Sequence, residues 1–524
     1  MKKDKQSIKK ISAVPSNSRR AFLKNSVSLT AAALAGAAAG ASPLAWQNDT
    51  RAPKKALMTG IQVSPASFVD EGVDQVLDIF QQRASVNTII VSTFSYDRGI
   101  SGRQMPGMPL PDHGVQEYDT KNYHGGHYAT PHAEFYKKTS LKGDKMRAPD
   151  FGDLDILPKV LAAAKKRNIR VFASVLDSFD YPDDVPGIKD LLEVGLDGSK
   201  GGAMCFYKPD VREFWTAVVT DIASSYDLDG IMFFNERNGP LLNAIGASHA
   251  QTFSSSGVTC FCPDHEREAR AHGLDFKRVR EGYTKLDQYV ARSLQGLRPS
   301  DGYYVEFERL LLNYPEIMAY HLLFDQGKHA VLNQIKDAVK SVNSKLQVGF
   351  HIEHVNSFNP FFRATRNYED LASKADFLKV VAYNNCGGER YVNFINNVQS
   401  TLFRDVPAEE LMRFNNHLLN YGDEASFADL ATTGFSPDYV YRETQRAIAG
   451  VKGKCKIMPG IDIGIPTGKS SRKASPDDTY AATLAAFKAG SDGVILSRKY
   501  SEMMMANLDA AGRAIRDGSK LHHA

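Results

Sequence analysis

The sequence predicts a (β/α)8 (TIM) barrel, and three observations carry the prediction. Strand-like apolar runs and amphipathic helical patterns alternate eight times past residue 50, the mark of a parallel α/β fold whose count favours closure. No Gly-x-Gly-x-x-Gly or Gly-x-x-x-x-Gly-Lys follows the first strand, which counts against a dinucleotide or P-loop fold. Long insertions follow strands 2, 4 and 6, at the strand ends where barrels build their sites.

The elements follow in order. The first strand is KALMTGIQV (55–63), followed by the amphipathic EGVDQVLDIFQQRA. NTIIVSTFSYD (87–97) is the second, and about fifty residues rich in Gly, Pro, His and Tyr (99–151) come after it. The helical GDLDILPKVLAAAKKRN leads into the third strand, IRVFASVLD (169–177). A helix from about Asp210 to Tyr226 precedes the fourth, GIMFF, which stops abruptly at Asn235-Glu236-Arg237. About 110 residues with helical patterns near 263–298 and 301–323 separate it from the fifth, LQVGFHIEH (346–354). DFLKVVAYNN (376–385) is the sixth, and about seventy residues separate it from KIMPGIDIG (456–464), the seventh. DGVILSRKY (492–500) is the eighth. Runs without alternation suit strands buried on both faces. One elaborated domain over 55–524 accounts for the length, and no repeat of 20–50 residues points to a solenoid.

Charge bears on partners. Residues 1–41 hold eight Lys/Arg against Asp4 alone, +7 of a chain total of +4, which leaves the rest at −3. No basic surface remains to argue for nucleic acid. Five cysteines in 524 residues do not make a disulfide framework.

The strand ends are polar and acidic: Asp97 and Arg98, Asp177, Asn235-Glu236-Arg237, His351, Glu353 and His354, Tyr383-Asn384-Asn385, Asp462, and Arg498. Several carboxylates at one mouth suit acid/base work on a neutral polar substrate, one protonated and another ionised. His124, His127 and His132 lie in the strand 2 insertion among Tyr123, Tyr128, Phe135 and Tyr136. Such aromatics stack on sugar rings or pack the loop onto itself. His351 and His354 raise a metal-dependent hydrolase or deacetylase as an alternative, although on a strand residues 351 and 353 share a face and 354 takes the other. A glycan-binding barrel without catalysis is the other alternative.

Two resemblances sharpen these expectations. SNSRRAFLKNSVSLTAAALAGAAAGA, with Arg19-Arg20 before an Ala-rich stretch and Ala39-Gly40-Ala41, resembles a twin-arginine export signal. It implies that 1–41 is removed, that 42–54 is a linker, and that the protein meets the twin-arginine machinery and works in the periplasm or outside the cell. An Asn-Glu pair ending strand 4 resembles the clan A glycoside hydrolases. VTCFCPDHEREARAHGLDFKRVREGY resembles the Cys-rich segment of the family 42 β-galactosidases and of a family of bacterial glycosyl hydrolases. GFHIEHVNSFNPFFRA, DFLKVVAYNNCGGER and DGVILSRKYSEMMMANLDAAGRAI resemble the strand 5, 6 and 8 regions of the latter.

That likeness implies hydrolysis of a carbohydrate without a cofactor. It makes Glu236 the general acid/base, holding a proton near neutral pH, and points Asn235 at the sugar 2-hydroxyl. Clan A places a nucleophilic Glu at the end of strand 7, where this chain has Asp462; Asp462 is the first expectation for the second carboxylate and Glu353 the second. Arg237, Asp97, His127, Asp177, His351, Tyr383, Asn384 and Arg498 are expected to bind substrate. Cys260, Cys262 and His265 echo the family 42 zinc cluster with three visible ligands, the alternative being plain cysteines.

Overall fold

Each apolar run becomes a strand of one parallel sheet that closes on itself. The computed structural model describes residues 57–119, 123–177, 181–249, 253–422, 424–466 and 472–521. The twin-arginine segment and the linker that follows it lie outside the described residues. The strands are β1 Met58–Val63, β2 Thr88–Ser95, β3 Arg170–Leu176, β4 Gly230–Phe234, β5 Gln347–Ile352, β6 Phe377–Val381, β7 Lys456–Asp462 and β8 Gly493–Ser497. Each pairs in parallel with its sequence neighbour, and β1 pairs with both β2 and β8. This is a closed (β/α)8 barrel.

The period-two alternation of a strand divides the core into two shells. Met58, Ile90, Phe172, Leu176, Met232, Phe234, Phe377, Met458 and Ile495 fill the barrel. Alternate residues, such as Ile61, Ile89, Val171, Ile231 and Val348, pack outward against the helices. Size complementarity operates inside: a Cβ on Gly349 would come within 2.0 Å of the Phe377 ring, so the glycine is the room that the phenylalanine occupies. Toward the C-terminal end the interior turns polar. Gln62, Lys379, Ser497 and His351 are all buried there, and the register sets His351 beside Lys379.

The insertions carry their own order. After β2, Gly126–His127 adds an antiparallel pair to the end of β2. After β4, Phe276–Leu294 starts at Asp275, whose carboxylate accepts the N–H groups of Lys277 and Arg278. Glu316–Val342, longer than the 301–323 pattern, then returns to β5. After β6 come Asn385–Thr401, Ala408–Leu419 and Pro437–Val451. A further excursion, unforeseen in the sequence, follows β3: Leu192–Val194 and Lys200–Met204 form an antiparallel hairpin. Leu57–Ala524 constitute one unit, and no described helix is long and apolar enough to cross a membrane.

Candidate active site

Glu236 follows β4 directly and is open to solvent, its side chain 46% exposed while Asn235 and Arg237 on either side are buried. A buried network fixes this turn. Asn235 Nδ2 donates to Asp177 Oδ2 at 2.5 Å, and Arg237 pairs with Asp177 at 2.5 Å and Glu193 at 2.9 Å. Arg237 also lies over the Phe206 ring at 4.1 Å. Burial lifts the Asp177 carboxyl to about 6 against the pull of Arg237. The three residues brace the β4 end from behind and leave Glu236 facing outward.

Glu236 is oriented by β5. His351 Nε2 lies 2.6 Å from Glu236 Oε1, and the Phe234 ring stacks on the imidazole at 4.9 Å. His351 is buried, its Nδ1 is without a partner among the described residues, and burial lowers its basicity. A neutral imidazole donating from Nε2 satisfies this geometry. Burial alone would raise the Glu236 carboxyl, but the hydrogen bond from His351, with the Arg390 charge behind it, outweighs burial and brings it down to about 2. The sequence expects a protonated Glu236; the hydrogen bond from His351 and the Arg390 charge favour its ionised form instead.

Lys379 of β6 lies within the barrel, 1% exposed. Its Nζ donates to Gln62 Oε1 at 2.5 Å and to the Tyr383 hydroxyl at 2.8 Å. Burial brings its ammonium down to about 7, with Glu236 the leading charge that resists the fall. Beside Glu236 a cavity of about 680 Å³ opens between the β3 hairpin and the loop after β4, lined in part by Glu193, Lys200, Arg237, Asn243 and Thr259. That volume suits a small organic ligand.

The other expected residues divide. Asp462 is fully buried: Oδ2 accepts the N–H of Cys386 at 2.9 Å, and Oδ1 accepts those of Gly464 and Ile465 at 2.9 and 2.8 Å. Glu353 is buried in ion pairs with Lys328 and, at 2.8 Å, Arg366. Both carboxylates are committed to the frame. Tyr383 and Asn384 reach the mouth from β6, Asn384 with Oδ1 unpartnered. Arg498 pairs with Glu502 at 3.2 Å, and Asp97 is exposed. His127 packs its ring on Phe94 at 4.7 Å and is 1% exposed; burial takes it to about 3. It belongs to the core beneath the β2 insertion. His351 and His354 do not converge, since His354 turns Nε2 to the Tyr439 hydroxyl at 3.0 Å and Nδ1 to Arg390 at 3.2 Å.

Cys260, Cys262 and His265 are joined by Cys205 at the end of the β3 hairpin. One ligand atom from each lies within 4.8 Å of all the others, all four residues buried. Cys205 Sγ is 3.6 Å from Cys262 Sγ and 3.2 Å from His265 Nδ1, and Cys262 Sγ is 3.7 Å from the same nitrogen. Tetrahedral zinc with bonds of about 2.0–2.3 Å needs donors roughly 3.5–3.8 Å apart, so this donor set fits the ion with no position left open.

Lys379, Arg390, His249 and Cys205 escaped the sequence reading. Lys379 had a signal, a lone cation in the buried run FLKVV. Cys205 had none, standing 55 residues from Cys260.

The sequence matches no protein-family model and no curated protein sequence. Among solved structures it is similar to the glycoside hydrolase domain of PgaB (BpsB) from Bordetella bronchiseptica, with 11% identity, 89% of this chain and 98% of that chain covered, and a TM-score of 0.45. The β-galactosidase of the Antarctic haloarchaeon Halorubrum lacusprofundi shares 12% identity over 88% of this chain and 58% of that chain, at a TM-score of 0.49. The catalytic domain of the β-amylase of Paenibacillus polymyxa shares 12% over 88% and 97%, at 0.43. Likenesses at this level assign neither reaction nor substrate.

Proposed function

We propose that the protein is an exported glycoside hydrolase whose reaction centres on Glu236. One observation carries this reading: a carboxylate side chain ends β4, open to a cavity of about 680 Å³ and hydrogen-bonded by His351. A carboxylate in that state attacks an anomeric carbon or takes a proton from water. The hydrogen bond from His351 lowers the Glu236 carboxyl and so supports these roles over that of proton donor. His351, neutral and fixed by its stack on Phe234, holds the carboxylate in one orientation. Export is read from Arg19-Arg20 and Ala39-Gly40-Ala41.

The test uses Glu236→Ala on a panel of aryl glycosides of both anomeric configurations, with and without azide. Loss of turnover restored by azide supports the reading, and the product names the role. A glycosyl azide of inverted configuration makes Glu236 the nucleophile; a retained one makes it the acid/base. Unchanged turnover in the variant removes Glu236 from the chemistry. Sugar binding without turnover by the wild type would favour a glycan-binding barrel.

We also propose that Cys205, Cys260, Cys262 and His265 hold a structural zinc ion. When bound, the ion supplies a cross-brace and no open position for substrate. The site ties the β3 hairpin to the segment after β4, a junction already stitched by the N–H of Phe261 donating to Val194 O at 2.7 Å and the Thr259 hydroxyl donating to Glu193 at 2.5 Å. Glu193 in turn holds Arg237 behind Glu236.

A further inference from the structure

The turn Asn235-Glu236-Arg237 is gripped through its main chain as well as its side chains. Phe234 O, at the end of β4, accepts the N–H of Asp177 at 3.0 Å. Past the strand, side chains take over. Lys328 Nζ donates to Asn235 O at 3.1 Å, and Arg366 Nη2 donates to Arg237 O. The two carbonyls that bracket Glu236 are thus each held by a cation, and the cations come from different elements. Lys328 lies in Glu316–Val342, and Arg366 follows Pro360–Thr365 beyond β5.

These cations are themselves aimed. Both donate to one oxygen, Glu353 Oε1, Arg366 through Nη1 at 2.8 Å. Arg366 Nε also donates to Asp325 Oδ1 at 2.6 Å, and its Cζ lies 4.1 Å from the centre of the Phe362 ring. None of Lys328, Arg366, Glu353 and Asp325 is more than 5% exposed. Such a cluster is a poor source of stability, because desolvation offsets the attraction and apolar side chains of similar volume often do as well. Apolar side chains could not donate to the carbonyls of Asn235 and Arg237, whereas charged donors of fixed direction can. Position is what these charges supply. The rest of the turn is fixed from the other side, Asn235 and Arg237 by Asp177 and Glu193, and the carboxylate by His351.

We propose that Lys328 and Arg366 are positioning residues for Glu236, with Glu353 and Asp325 setting their directions. The proposal rests on the hydrolase reading for the reaction that it serves. Glu353, a candidate for the second carboxylate on sequence grounds, then acts through two cations and the backbone, away from the reacting bond. Misplacing a reacting group by about 1 Å costs on the order of 10²-fold in rate, so the role should be visible in kcat.

The experiment makes Lys328→Met, close in length and without a donor. Beside it stands Arg366→Lys, which keeps a charge near Glu353 and Asp325 but drops the fork that reaches Arg237 O. Arg366→Lys carries the test alone if Lys328→Met does not fold. Turnover of an aryl glycoside is measured per folded molecule, the folded fraction taken from near-ultraviolet circular dichroism, and the crystal structure of each variant is solved. The expected result is a kcat lower by roughly 10- to 100-fold with KM within about threefold, and a Glu236 carboxylate moved off His351 Nε2. The azide-rescued turnover of Glu236→Ala should not fall further when either substitution is added, because residues that act through one group are not additive with its removal. A wild-type kcat, a loss that persists in the Glu236→Ala background, or Glu236 still on His351 in the variant structures overturns the proposal and leaves the cluster a feature of the core. The two readings fail separately. Displaced Glu236 with no glycoside turned over by the wild type leaves the positioning role standing and removes the hydrolase; wild-type turnover with Glu236 undisturbed in the variants does the reverse.

Discussion

Asp462 Oδ2 accepts the backbone N–H of Cys386 at 2.9 Å, which ties the end of β7 to the first turn of Asn385–Thr401. The amide is one of the unpaired donors of a helix N-terminus, where a negative charge is favoured. Asp462 Oδ1 meanwhile caps two amides of its own loop. The residue therefore locks the β7 loop and the helix that carries Arg390 into one unit. Asp462→Ala leaves three buried or half-buried amides without an acceptor, each worth about 1–3 kcal/mol. Chemical denaturation should show a loss of roughly 3 kcal/mol or more. A fully stable Asp462→Ala protein that has lost turnover would instead return Asp462 to the chemistry.

Glu353 makes the same argument in the interior. Lys328 and Arg366 converge on it, and Arg366 pairs with Asp325 at 2.6 Å as well. Replacing Glu353 by Gln strands the buried ammonium of Lys328 and leaves Arg366 to Asp325 alone, which costs about 3–5 kcal/mol for a buried pair broken on one side. Urea denaturation checks the magnitude. Stability near wild type would show that the cluster tolerates the neutral group and that Glu353 is free for another role.

The barrel was legible because its strands are apolar on both faces and end at polar residues, a pattern that depends only on local sequence. The β3 hairpin was not. Its second strand, Lys200-Gly201-Gly202-Ala203-Met204, is poor in the β-branched residues that announce strands, and pairing across a short turn holds it instead. At the mouth, sequence gave the residues without their directions. Asp462 and Glu353 sit at strand ends as foreseen, yet backbone amides and distant cations claim them. Those partners come from helices and loops that no local pattern relates to β5 or β7. His351 beside Glu236 follows from β4 and β5 being neighbours, once the barrel order is known.

Removing the fourth ligand tests the zinc proposal. Elemental analysis should find about one zinc per chain in the wild type and far less in Cys205→Ser. Chelation should lower the melting temperature of the wild type and leave Cys205→Ser unmoved, since metal binding adds to folding stability. Stoichiometric zinc in Cys205→Ser would show that Cys205 is not a ligand. No zinc in a protein purified without chelator would withdraw the site.

Lys379 should make stability depend on pH with a definite sign. Burial lowers its ammonium to about 7 from an ordinary 10.5, so between these values the unfolded chain binds the proton and the folded chain does not. Stability from this group rises with pH across that window. At pH 6 the folded state must bury a full charge; at pH 9 it does not. Lys379→Met removes that dependence, so the melting temperature of the variant relative to wild type should be more favourable at pH 6 than at pH 9. A difference that is flat in pH, or larger at pH 9, would mean that Lys379 titrates normally.

The last prediction concerns the dyad of His351 and Glu236. The hydrogen bond and neighbouring charges keep the carboxyl near 2 against an ordinary value of 4.5, so the ionised form persists into acid. A folded value below the unfolded one means that the stability contributed is present above about 4.5 and is lost as pH falls toward 2. Because Glu236 is nearly half exposed, solvent screening keeps that contribution small, and activity is the better readout. If Glu236 works as a carboxylate, the acid limb of kcat/KM on an aryl glycoside should lie below pH 4 in the wild type. His351→Phe keeps a ring against Phe234 but removes the donor and any charge. The acid limb should then move upward by one unit or more, while the alkaline limb stays. The turnover at the optimum should fall by less than in Glu236→Ala, because His351 only orients the carboxylate. A variant that keeps the wild-type acid limb would show that the imidazole does not set the ionisation of Glu236.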